Sequence, residues 1–127
     1  MCNIGVSIDK DLNATQTYGY DPEKHEMCLP EKEHRLPEPF NTFAVLHEQG
    51  HAYNRHEIVS YFLTDTVVKQ EKEAWEYAKE CIKPQWHKLF DVYARASVAT
   101  YENMFDQFGM IIAQAVLKGI VRNYRRS

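Results

Sequence analysis

Three of the chain's five prolines, Pro30, Pro37 and Pro39, fall between Leu29 and Pro39, and they divide the sequence into two parts of different periodicity. Proline fixes φ and has no N–H to donate, so neither a helix nor an interior strand runs through such a stretch. The segment is read as an extended linker. Before it, Asn3 to Ile8 alternates Ile4, Val6 and Ile8, and Gln16 to Tyr20 is rich in Thr and Tyr, both strand signals. Asp21-Pro22-Glu23-Lys24 suits a type I turn, after which His25 to Leu29 returns as a third strand. The expectation is a small antiparallel sheet built around a hairpin.

Beyond the linker the period becomes helical. Phe40, Phe43, Ala44, His47, Gly50 and His51 share one broad face, with Asn41 available as a cap. Arg55 to Asp65 has no clear period. A second helix is predicted over Val67 to Ile82, with Val67, Ala74, Tyr77, Ala78 and Cys81 as its apolar stripe and Pro84 beyond its end. Trp86, Phe90 and Tyr93 mark a third helix. A fourth runs from about Tyr101 to Tyr124, with Phe105, Phe108, Ile112, Ala115 and Val116 inward. The predicted class is α+β: a small N-terminal antiparallel sheet, one helix carrying a site, and a mostly helical C-terminal half. At 127 residues, one domain spanning 1–127 is expected.

A chain of this size and apolar content (44%) can bury a core without a structural metal, so a metal site in it points to function. The net charge of −3 gives no reason to expect direct binding to nucleic acid or anionic lipid. Past Asp106 every charged residue is basic (Lys118, Arg122, Arg125 and Arg126), which suits the C-terminal end of a helix. Cys2, Cys28 and Cys81 are odd in number and widely spaced, which indicates neither a disulfide framework nor a cysteine metal site. No signal segment and no membrane-spanning run is recognisable, and a cytoplasmic location is expected.

The motif that carries chemistry is His47-Glu48-Gln49-Gly50-His51, an HExxH sequence on a predicted helix. Residues four apart lie one turn apart on one face, so both imidazoles can reach one zinc ion. Glu48 projects to a neighbouring angle, where a carboxylate can act as general base toward a zinc-activated water. A catalytic zinc usually has a third protein ligand. The next helix supplies Glu71, Glu73, Glu76 and Glu80, of which Glu71 and Glu73 flank the apolar stripe and are not distinguished by helical geometry. Glu57, six residues after His51, lies where another zincin class places its third ligand, but that class needs glycine where Asn54 stands.

These residues resemble the ImmA/IrrE-type metallopeptidases, whose members show a hairpin, HExGH, and then a helix with the pattern E-A-x-x-F-A, an apolar pair and a proline. Glu73-Ala74-Trp75-Glu76-Tyr77-Ala78, followed by Cys81, Ile82 and Pro84, is similar to that pattern, with Tyr in the aromatic slot. Tyr20 to Lys24 and Cys28-Leu29-Pro30 look like the hairpin, and Gly50 and Ala52 stand where the family favours small residues. The resemblance covers roughly Tyr18 to Pro84. It implies a minimal zincin-like fold, Glu73 as the third zinc ligand, and hydrolysis of a protein substrate. In known members that substrate is often a transcriptional repressor of a phage, mobile-element or stress-response circuit. Gln49 departs from a usually apolar position, no helix-turn-helix segment precedes the hairpin, and Tyr53 and Tyr61 are merely the nearest candidates for an oxyanion donor. The rival expectation is a zincin-fold binding module that sequesters a partner without cutting it.

Overall fold

The computed structural model describes residues 5–9, 18–57, 59 and 62–126. In chain order the elements are strands β1 (Gly5–Asp9), β2 (Gly19–Asp21) and β3 (Glu26–Pro30), then helices α1 (Phe40–Tyr53), α2 (Thr64–Glu80), α3 (His87–Glu102) and α4 (Gln107–Arg126). The α+β class and its helical bias agree with the sequence pattern. The predicted strand residues before Gly5, and Gln16 and Thr17, lie outside the described residues.

The sheet corrects one expectation. Its order is β1-β3-β2, with β2 antiparallel to β3 and β1 parallel to β3. The hairpin is antiparallel because Asp21 pairs with Glu26 across a tight turn. Asp21 Oδ1 accepts the Glu23 N–H at 2.9 Å, and His25 closes the loop at φ 49°. β1 joins β2 through a longer stretch, so it can return to the far side of β3 and align with it, Val6 beside Met27 and Ile8 beside Leu29.

The linker is tied down at several points. The Tyr18 hydroxyl accepts the Leu36 N–H at 3.0 Å and donates to Asn41 Oδ1 at 2.6 Å, joining the hairpin to the start of α1. Arg35 Nε donates to the Pro30 carbonyl at 3.0 Å. Asn41 therefore lies inside the first turn of α1 and does not cap it. Glu38 takes that work: its carboxylate accepts the Thr42 N–H at 2.9 Å and the Thr42 hydroxyl at 2.7 Å. Burial alone would raise the Glu38 pKa, but hydrogen bonds from Thr42 and Asn41 outweigh it and hold the carboxyl below its ordinary value.

Two compact units emerge, one comprising Met1–Ile58 with Glu73–Cys81 and the other Val59–Lys72 with Ile82–Ser127. The boundary falls inside the continuous helix α2. In the first unit α1 packs on β2 and β3, with Met27, Pro30, Phe40, Phe43, Ala44 and Ala52 buried. Gly50 lets α2 approach α1 at backbone distance: a Cβ there would stand 2.7 Å from the Cα of Ala74. In the second unit α3 packs along α4, burying Phe90, Tyr93, Ala94, Val98 and Ala113.

Two predicted apolar faces differ from those observed. On α2 the buried positions are Val67, Glu71, Ala74, Trp75 and Ala78, continued past the helix by Ile82, while Cys81 is exposed. On α4, Phe105 at its approach and Phe108, Ile112, Ala115 and Val116 along it are exposed. The side that meets α3 runs instead through Met110, Ala113 and Leu117. α4 is apolar on more than one side, so its periodicity is compatible with either face, and the larger side chains lie on the one that does not face α3.

Candidate metal centre

The HExxH sequence lies within α1, as its spacing requires. His47 is buried and its ring stacks flat on Trp75 of α2, centroids 4.1 Å apart at 11°. His51, one turn later, has its ring centroid 4.7 Å from that of His47. Glu71 stands on α2 one turn before Trp75, so the helix that stacks on His47 also carries this carboxylate. One ligand atom from each of His47, His51 and Glu71 lies within 4.8 Å of the other two. Tetrahedral zinc ligands stand about 3.4 Å apart, so an ion would need only a modest inward movement of side chains.

The chemistry of the donors favours the same conclusion. Among the described residues the buried polar side chains are His47, Glu48 and Glu71. Nitrogen and oxygen donors of this kind suit zinc among other divalent ions. This group could bind a metal ion.

Glu73 is placed differently. Its Oε1 lies 3.1 Å from His56 Nε2, and His56 Nδ1 lies 2.9 Å from His51 Nδ1. One proton arrangement satisfies the whole chain. His51 Nδ1–H donates to His56 Nδ1, and His56 Nε2–H donates to Glu73, which makes Nε2 the acceptor nitrogen of His51. His47 follows the same rule, its Nδ1 3.2 Å from Glu48 Oε1. Both imidazoles of the candidate metal group are thus oriented by carboxylates, Glu48 directly and Glu73 through His56.

The end of α1 explains why His56 is there. The Arg55 N–H donates to the Ala52 carbonyl at 3.1 Å and the His56 N–H to the His51 carbonyl at 3.0 Å. Arg55 takes φ 50° where glycine is usual. These two bonds form a Schellman turn, which folds the chain back so that His56 meets the ring one turn behind it. Asn54 keeps a right-handed conformation and caps Gly50 O with its side chain at 2.8 Å. Sequence reading had no use for His56. Its signal was the position two residues after a helix C-cap, which becomes visible only once the end of the helix is fixed.

Of the other candidates, Glu57 is exposed and outside the metal-binding group. Tyr53 is exposed and stacks on Tyr77 at 4.8 Å, which accounts for the aromatic slot on α2. Tyr61 lies outside the described residues. His25 is hydrogen-bonded to the Tyr20 hydroxyl at 2.7 Å, and His87 Nε2 donates to the Ile82 carbonyl at 2.9 Å, so both serve turns. No described helix is long and apolar enough to cross a membrane. No protein-family model matches the chain, and none of the characterised proteins or solved structures is significantly similar to it.

Proposed function

We propose that this chain is a zinc-dependent endopeptidase, with His47, His51 and Glu71 as ligands and Glu48 as general base. The observation that carries the reading is the convergence of the three donors from α1 and α2 within 4.8 Å. Zinc, when bound, supplies a Lewis acid that polarises a carbonyl and makes water more acidic. The chain's own residues do the rest. His47 and His51 present Nε2, their rings fixed by Trp75, Glu48 and His56. Glu71 adds a carboxylate oxygen and one negative charge. Glu48, buried on the turn that carries His47, accepts a proton at its carboxylate once it turns from His47 toward the substrate side. Glu73, which the family resemblance implies as third ligand, acts in this reading through His56 and keeps His51 oriented.

A protein substrate, in the first instance a transcriptional repressor, rests on that resemblance. β1 and β2 are the two edges of the sheet, and an extended peptide could add to either by backbone hydrogen bonds. The test is expression of wild type and Glu48→Gln beside candidate repressors encoded nearby. Wild type alone should produce a fragment, while the variant keeps its metal and its fold, because an amide cannot take the proton. Equal action on the partner by both proteins, with no fragment, would replace proteolysis by sequestration.

A further inference from the structure

The exposed face of α4 is apolar along a seam spaced three and four residues apart: Phe108, Ile112, Ala115 and Gly119, with Ile111 and Val116 as its flanks. This is the a/d spacing of a coiled coil, and it lies on a different side from the stripe that packs against α3. Phe105 extends the seam backward and stacks on Phe62, ring centroids 5.7 Å apart. Phe108 is 79% exposed and Phe62 86%. Taking roughly 200 Å² for a fully exposed aromatic side chain, Phe62, Phe105, Phe108, Ile111, Ile112 and Val116 present on the order of 700 Å². That exceeds the usual patch on a monomer and approaches the ~800 Å² each partner gives to a standard interface.

We propose that this face binds a second copy of the chain, with the two α4 helices antiparallel about a two-fold axis near the middle of the helix. Two features of the seam identify the occupant. The first is size: large side chains (Phe105, Phe108) lie in its first half and small ones (Ala115, Gly119) in its second. Antiparallel pairing sets Phe108 against Gly119 of the second copy and Ile112 against Ala115 of the second copy. Parallel pairing would set phenylalanine on phenylalanine and leave the small residues facing each other across a gap. The second feature is charge. Glu102 and Asp106 precede the seam, while Lys118 and Arg122 lie at its far end. Antiparallel copies bring opposite charges together, whereas parallel ones place like on like. A two-fold axis perpendicular to a helix makes the pairing antiparallel and the interface isologous, which closes the assembly at two.

Gly119 supplies a test that does not threaten folding. A Cβ there meets nothing within 4 Å, so a larger side chain is accommodated in one copy, and glycine is a poor helix residue in any case. Sedimentation velocity of the full chain at micromolar concentration should give a dimer for wild type. Ile112→Glu and Gly119→Gln should each shift it to monomer, with dissociation at least tenfold easier and far-ultraviolet circular dichroism showing undiminished helix. A wild type that stays monomeric across the concentration range overturns the proposal, whether the face meets lipid, another protein or nothing. So does a Gly119→Gln protein that dimerises as well as wild type, because the large-on-small packing would then be absent.

Discussion

Glu71 is a carboxylate at a position the helix gives to apolar residues, four after Val67 and four before Trp75, and only 6% of its surface is exposed. A carboxylate placed so deep, with one oxygen within 4.8 Å of ligand atoms of His47 and His51, is positioned to ligate a cation. Glu73 is much more open and hydrogen-bonds His56 at 3.1 Å. The two variants should therefore separate. Glu71→Gln is expected to weaken zinc binding by about 100-fold or more. Glu73→Gln is expected to weaken it by about tenfold, because an amide oxygen still accepts from His56 Nε2–H. Competition against a chromogenic chelator measures both, and the reverse ranking would restore Glu73 as the ligand. The HExxH residues were legible because their spacing matches one helical turn. The choice between Glu71 and Glu73 was not, because it depends on whether Trp75 or Tyr77 marks the centre of the buried stripe. Trp75 is the buried one, stacked on His47, while Tyr77 sits at the edge against Tyr53.

At the level of elements, the contact between α1 and α2 brings the candidate ligands together, and Gly50 sets that contact. Its missing side chain lets the backbone of Ala74 come within a distance that no Cβ tolerates, and the three nearest atoms on that surface are all main-chain atoms of Ala74 with no rotamer to yield. Gly50→Ala should therefore destabilise the protein by about 1–3 kcal/mol, despite alanine's better helix propensity, by pushing the two helices apart. The same displacement would move Glu71 away from His47 and His51. Thermal unfolding and zinc affinity should thus fall together in this variant, and a gain in stability would mean the helices are not in contact here. Helix existence was readable from apolar spacing, and the hairpin from Asp21-Pro22. Strand direction was less so. Nothing in the alternation of Ile4, Val6 and Ile8 says whether β1 lies parallel or antiparallel to β3, since side-chain alternation is identical in both. Capping was ambiguous for a similar reason: Asn41 is a good cap residue by type, but the α1 end begins at Phe40, and Glu38 reaches the first-turn donors.

For the whole molecule, a metal ion would add to stability through α1 and α2, since Glu71 stands on α2 one turn before Trp75 and Trp75 stacks on His47 of α1. Zinc held by His47, His51 and Glu71 would fasten α1 to α2 in the folded state, and the unfolded chain cannot reproduce the arrangement. Binding to the folded form alone stabilises it by about 2.7 kcal/mol at 100 times the dissociation constant. For a chain of this length that corresponds to a rise of roughly 10 °C in Tm. Calorimetry of chelator-treated protein with and without added zinc measures it. His51→Ala should lose the rise altogether. Glu48→Gln should keep most of it, because Glu48 contacts His47 and supplies no ligand atom to the group. Retention of the full rise in His51→Ala would locate the zinc elsewhere in the molecule. Loss of it in Glu48→Gln would make that residue part of the coordination sphere, and the division of labour between ligand and base would have to be redrawn.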